Sequence, residues 1–179
     1  MTETGTIYGG ALYDLAEAEG LSREILEQLK ALETGFAQEP DFLKLLCSHR
    51  LSKAERCNIL DESFREKVHP YVLNFLKILT EKDRVRHFAD CGAAYRIRYN
   101  VQNNILPVTA VTAVTMTREQ TARLTEKLEK LTEKSIDLTN RVDPAALGGV
   151  RLDFDGKCMD DTLAHRLDSV RNLLNHTIL

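Results

Sequence analysis

The sequence predicts a mainly α-helical protein, with an N-terminal six-helix antiparallel bundle over residues 1–105 and a small α+β domain over residues 106–179. Two observations carry this. Apolar residues recur at threes and fours, punctuated by capping residues, through the first 105 positions. The pattern then changes at Asn103-Asn104-Ile105-Leu106-Pro107, and Val108–Thr115 reads VTAVTAVT, rich in β-branched residues and without helical periodicity.

In the first helix, Ile7, Ala11, Leu15 and Ala18 recur at helical spacing, and Tyr8 and Leu12 widen the apolar stripe. Gly20 ends it. Ser22 is placed to cap a second helix, with Leu21 and Leu26 as a hydrophobic staple and Ile25, Leu29, Leu32 and Phe36 as its inner face. Pro40 suits the first turn of a short third helix holding Phe42, Leu43, Leu45 and Leu46. Ser52 through Glu55 forms a capping box before a fourth helix with Ile59, Leu60 and Phe64. Pro70 opens the fifth, where Val72, Phe75, Leu76 and Leu79 share a face. Asp83 is placed to cap the sixth, which carries Val85, Phe88, Gly92, Tyr95 and Tyr99. Short connections between six helices predict the bundle.

After the first strand, Thr117 and Gln120 form another capping box, and Leu124, Leu128 and Leu131 line the helix that follows. Ile136, Leu138 and Val142 alternate with polar residues, as do Val150, Leu152 and Phe154, so both stretches predict half-buried strands. Asp155-Gly156 signals a hairpin turn. Asp161 or Thr162 is placed to cap a last helix with Leu163, Leu167, Val170 and Leu174 inward.

Composition narrows the function. The N-terminus lacks a secretory or transit pattern, and no window approaches the ~20 apolar residues of a membrane-spanning helix. No direct membrane insertion is expected. The four cysteines, Cys47, Cys57, Cys91 and Cys158, fall in no CxxC pair, which argues for reduced thiols rather than a disulfide framework or zinc site. Net charge is −3, against a nucleic-acid binder. Charge is uneven: residues 1–41 hold nine acids and two bases, whereas residues 42–105 hold twelve bases and seven acids. This reads either as solvated helix faces or as a dipolar surface that orients a partner.

Nothing in the pattern announces chemistry. There is no phosphate-cradling glycine loop, no GxSxG, and no histidine pair at i,i+4 among His49, His69, His87, His165 and His176. Asp153, Asp155, Asp160 and Asp161 lack the alternation and closing Glu of a calcium loop. The basic run Lys82, Arg84, Arg86, Arg96 and Arg98 is interleaved with acids, and the sheet has Phe154 as its single aromatic, so RNA binding is not expected. No catalytic residue, metal ligand or cofactor is assigned.

The residues do carry a resemblance. Tyr8-Gly9-Gly10-Ala11-Leu12-Tyr13-Asp14-Leu15-Ala16 resembles the first helix of the delta subunit of bacterial F-type ATP synthase, a relative of the mitochondrial oligomycin-sensitivity-conferring protein. Asn74-Phe75-Leu76 and Glu81-Lys82-Asp83-Arg84 fit the same family. Its most specific stretch is Val142-Asp143-Pro144-Ala145-Ala146-Leu147-Gly148-Gly149-Val150-Arg151-Leu152, continued by Asp160 and by Arg166-Leu167. The sequence departs from the family where Asp161 and Thr162 replace a Gly-Ser pair and where Ala164-His165 precede Arg166.

The resemblance implies a non-catalytic stator subunit that links the catalytic head to the peripheral stalk, so that the head does not turn with the rotor. It implies that residues 1–105 bind N-terminal helices of the alpha subunit between the first and fifth helices, and that residues 106–179 bind the b subunits of the stalk. It implies a peripheral place on the cytoplasmic side of the cell membrane, as one copy within the complex. An apolar groove of Tyr8, Ala11, Leu12, Leu15, Phe75, Leu76 and Leu79 would suit an amphipathic helix, with Ala11 and its neighbouring glycines allowing close approach. The same side chains can instead be bundle core.

Overall fold

In a computed structural model the residues described are 2–48, 50–154, 156–160 and 162. The fold is mainly helical with a small four-stranded sheet, in the order α1 (Glu3–Ala18), α2 (Ser22–Gln38), α3 (Pro40–Leu46), α4 (Lys53–Phe64), α5 (Pro70–Glu81), α6 (Phe88–Gln102), β1 (Ile105–Thr112), α7 (Arg118–Thr132), β2 (Ser135–Val142), β3 (Val150–Phe154) and β4 (Lys157–Asp160). The chain divides into two compact units between Tyr99 and Asn100, inside α6, ahead of the change in pattern that sets the expected boundary.

The first unit holds the six helices around one core. Ile25, Leu29, Leu32 and Phe36 of α2 are buried, as are Val72, Phe75, Leu76 and Leu79 of α5. Pro40 and Pro70 occupy the first turns of their helices, where the missing N–H has no partner to lose. The Ser52 capping box is formed, its hydroxyl accepting from Glu55 N–H while Ser52 N–H donates to Glu55 Oε2 at 2.8 Å.

Three local expectations are corrected. Ser22 is the first helical residue of α2 rather than its cap, which is Leu21, without a side-chain bond. Asp83 does not cap α6: its backbone is left-handed (φ 54°), a 3-10 turn over Val85–His87 intervenes, and its carboxylate turns back to Arg56 Nη1 at 2.9 Å and Lys53 Nζ at 3.3 Å. Arg56, only 3% exposed, also donates to the Leu46 carbonyl, so one guanidinium joins the end of α3, α4 and the α5–α6 junction.

The third correction concerns α1. Its buried residues are Gly5, Gly9, Gly10, Leu12, Tyr13 and Ala16. Ile7, Ala11, Leu15 and Ala18, the stripe read from periodicity, lie on the exposed side. The cause is the close seating of α1 on α6. A Cβ on Gly5 would come within 2.7 Å of the Asp90 side chain, and one on Gly9 would overlap the Cys91 carbonyl oxygen. Thr2 donates to Asp90 (2.7 Å), Tyr13 meets Tyr95 edge-to-face (5.3 Å), and Arg98 pairs with Asp14, so the two helices run in the same direction.

In the second unit the sheet order is β2-β1-β3-β4, with β1 parallel to β2 and antiparallel to β3. The parallel pair is joined by α7, whose Thr117–Gln120 capping box is formed. Leu128 of α7 meets Val108, Ala110 and Leu152 in a small core, whereas Leu131 is exposed, contrary to the helical stripe that included it. The first strand starts at Ile105 and ends at Thr112, earlier than its β-branched run suggests. Asn140 stitches the far end of β1, donating to Ala110 O (2.9 Å) and Thr112 Oγ1 (2.8 Å) and accepting Met116 N–H (3.0 Å). Gly156 turns β3 into β4 with φ 72°. The expected last helix, with Asp161, Leu163, Leu167, Val170 and Leu174, lies outside the described residues, as does Asp155.

Candidate interaction surfaces

The structure sorts the seven groove residues by depth. Leu12, Phe75, Leu76 and Leu79 are core, at 6% exposure or less. Tyr8 is half-buried, while Ala11 is exposed and Leu15 is 44% exposed. Gly9 and Gly10 do not widen a groove for a visitor, because the space they leave is filled by α6 and by the Arg98 guanidinium.

What remains at the surface is a continuous apolar row on α1. Ile7, 60% exposed, Ala11 and Leu15 follow one another at i,i+4 and therefore stack on one side of the helix. Of the residues that the sequence left open between partner groove and bundle core, Ala11 and Leu15 lie outward. Ile78, 46% exposed, is the apolar residue that α5 leaves in solvent. Arg84, just beyond α5, donates to Thr4 Oγ1 at 3.2 Å and ties the start of α1 to the end of α5. The Asp90 carboxyl is held below its ordinary value chiefly by the Thr2 hydroxyl, so a charged group anchors the first turn behind this row. Ile7 and Ile78 were not separable from core by sequence, since both helices are apolar on more than one side.

In the second unit, the stretch from Asp143 to Gly149 forms the corner between β2 and β3. Asp143 Oδ1 accepts Ala145 N–H at 3.0 Å, Pro144 opens a 3-10 turn, and Asp143 N–H donates to Thr112 O at 2.8 Å. Gly149 has φ 80°, which a side chain disfavours. Leu147 takes a left-handed φ of 59° with its side chain 64% exposed, a strained backbone carrying an apolar group into solvent. Beside this corner, Val114 and Met116 face Gly148 and Gly149 across a shallow depression of about 260 Å³. Asp160 Oδ1 accepts from the Thr162 backbone N–H (3.0 Å) and hydroxyl (2.7 Å). Arg166 and Leu167 lie outside the described residues.

Among the described residues there is no cluster of three or more His, Cys, Asp or Glu side chains suited to a metal, and no helix is long and apolar enough to cross a membrane. Strongly shifted groups are explained by burial: it pushes the Cys91 thiol up to about 11 and raises the Tyr95 phenol, whose hydroxyl donates to Ser22 O at 2.8 Å.

Comparison with known proteins bears on the family and the fold. The family described as ATP synthase delta (OSCP) subunit matches residues 5–174. The chain is 31% identical over 172 residues to ATP synthase subunit delta of Clostridioides difficile, covering 96% of this chain and 95% of that protein. It is 28% identical over 161 residues to ATP synthase subunit delta of Moorella thermoacetica, with 90% of each covered. Its fold matches a chain of the mitochondrial ATP synthase hexamer of Toxoplasma gondii with a TM-score of 0.75 at 18% identity, over 97% of this chain and 98% of that one. The chain therefore belongs to the ATP synthase delta (OSCP) subunit family, a non-catalytic component of the peripheral stalk of F-type ATP synthase.

Proposed function

We propose that the chain joins the catalytic head to the stalk through two separate surfaces, one on each unit, and so keeps the head from turning with the rotor. The first surface takes an amphipathic N-terminal helix of the alpha subunit; the second takes the distal ends of the b subunits. One copy sits in each complex, held to the cytoplasmic side of the membrane by its partners.

The observation that carries the first assignment is the exposed row Ile7, Ala11 and Leu15, backed by the glycine-mediated contact of α1 with α6. Three apolar positions one turn apart are what an incoming helix needs to bury its own stripe. The contact is narrower than the seven-residue groove, because four of those residues already fill the core. They support the row from behind and do not touch a partner. A stable contact of this kind buries about 800 Å² per partner, so the footprint proposed also takes in half-buried Tyr8 and exposed Ile78.

On the second unit, Leu147 and Val114 are the apolar groups displayed beside the Gly148-Gly149 corner. Strained backbone at an exposed apolar residue is a common mark of a contact site.

The test is isothermal titration of the full chain with an alpha-subunit N-terminal peptide of about 20 residues, enough for several helical turns. One-to-one binding that survives moderate salt is expected. Ala11→Asp should remove it while leaving the circular dichroism spectrum unchanged. Equal affinity in that variant would reject the row on α1 as the docking surface.

A further inference from the structure

The sheet of the second unit has one long edge strand. In the order β2-β1-β3-β4 the edges are β2, with eight residues, and β4, with four. The bonds at the two ends of β2 show which of its backbone groups point away from the sheet. Ser135 N–H donates to Asn104 O at 3.1 Å and Asp143 N–H to Thr112 O at 2.8 Å, so the odd-numbered residues turn their backbone groups towards β1. Alternation then turns the N–H and C=O of Ile136, Leu138, Asn140 and Val142 outward. Glu129 Oε1 meets Ile136 N–H at 3.5 Å, which agrees with this direction and covers that donor weakly. No hydrogen bond to the outward backbone groups of Leu138, Asn140 and Val142 is found among the described residues.

An open edge of this length invites another strand, and folded proteins ordinarily blunt such edges with proline, a bulge or charge. β2 has no proline and pairs with β1 without a break from Ser135 to Val142. What it carries is one acid and one base. Asp137 and Arg141 are exposed on the sheet face opposite Ile136 and Leu138, and neither is in an ion pair among the described residues.

Their spacing is self-complementary. In an antiparallel pairing of β2 with β2 of a second copy, centred on Thr139, Asp137 of each chain faces Arg141 of the other. These are non-hydrogen-bonded positions, where side chains come closest and opposite charges favour pairing. The same register sets Leu138 against Asn140, whose outward N–H and C=O groups then exchange bonds. It also sets Val142, 45% exposed, against Ile136. A slip of two residues breaks both charge pairs, and a slip of four sets like charges face to face. One register is therefore selected.

We infer that β2 is a self-association edge, through which two free chains join their sheets into one. An unrelated strand would need an acid and a base at the same spacing in reverse order, which a second copy supplies by symmetry. An eight-residue edge is small beside the roughly 1,200 Å² of total area that stable interfaces bury, so the dimer is weak. It is a state of chains outside the complex, where one copy is proposed to sit.

The test is sedimentation velocity of the full chain at low salt, from about 10 μM to about 1 mM, the span of weak affinities. A reversible monomer–dimer equilibrium is expected, with amide exchange at Leu138 and Asn140 slowing as concentration rises. Asp137→Lys and Arg141→Glu each set like charges across the pair and should weaken the dimer at least tenfold. The double variant D137K/R141E restores opposite charges and should return the affinity to within threefold of wild type. A monomer at every concentration would overturn the assignment. So would a dimer that both single variants leave within twofold of wild type, or a double variant no tighter than the singles. Slowed exchange of these two amides by a peptide of the distal end of the b subunit, with the chain alone monomeric throughout, would give the edge to a stalk strand and reject self-pairing.

Discussion

At the scale of single residues, the molecule depends on places where a missing side chain or one charge decides the packing. Gly9 is the sharpest case. Gly9→Ala would force a methyl into the Cys91 carbonyl oxygen, a backbone atom that cannot rotate away. Overpacking of this kind costs about 1–3 kcal/mol, so the variant's denaturation midpoint should fall accordingly while Ala11→Asp, two positions along on the outer side, leaves it unchanged. Asp83 sets a pH dependence. Its carboxyl lies below its ordinary value, first because of the bond from Arg56. A carboxyl depressed by folding stabilises the native state above the unfolded-state value, about pH 4, and that contribution is lost as pH falls through the folded-state value. Asp83→Asn keeps a residue that tolerates the left-handed backbone but removes the charge. Its melting temperature should be lower than wild type at neutral pH, and the two should converge in acid. A gap that persists unchanged at low pH would show that the charge is not the cause. Cysteine chemistry separates as well: Cys158 is exposed and Cys91 buried, so a thiol reagent should label Cys158 in the native protein and reach Cys91 only on unfolding.

At the scale of elements, caps and corners hold the second unit. The Thr117 hydroxyl accepts from Gln120 N–H at 3.2 Å, and Gln120 returns a bond to Thr117 N–H at 2.9 Å. Thr117→Ala removes one side of this box and should lower the stability of that unit by about 1 kcal/mol, read by chemical denaturation. The β2–β3 corner makes an opposite kind of prediction. Leu147→Asn places a residue at home in the left-handed region where leucine is strained. Stability should rise slightly while affinity for the b subunits falls, since the apolar group is gone. If both rise together, Leu147 is not a contact residue.

The whole molecule is built from two cores that share no residue, one among the helices and one between α7 and the sheet. Each substitution should therefore shift the unfolding of its own unit: Gly9→Ala that of the bundle, Thr117→Ala that of the α+β unit. Such a division fits a connector, in which each end must hold a different partner under load. Its described helices include none long and apolar enough to cross a membrane.

Much of this was legible in the sequence, because the features that speak locally are short-range. Capping boxes at Ser52 and Thr117, prolines at the first turns of α3 and α5, alternation in β2 and β3, and the turn at Gly156 all depend on residues within a few positions of one another. The stretch Asp143–Gly149, which carried much of the resemblance, is of the same kind, a corner closed by short-range bonds such as Ala145 N–H to the Asp143 carboxylate. What only the tertiary structure decided is which of two apolar sides a helix turns inward. In α1, Ile7, Ala11 and Leu15 make one apolar stripe, yet it is Leu12, Tyr13 and Ala16, with Gly5 and Gly9 between α1 and α6, that face inward. Close approach of two backbones gains contact along their whole length, a term that hydrophobicity summed over side chains does not count. Asp83 was likewise misread, because its partner Arg56 lies 27 positions away and no local pattern joins them.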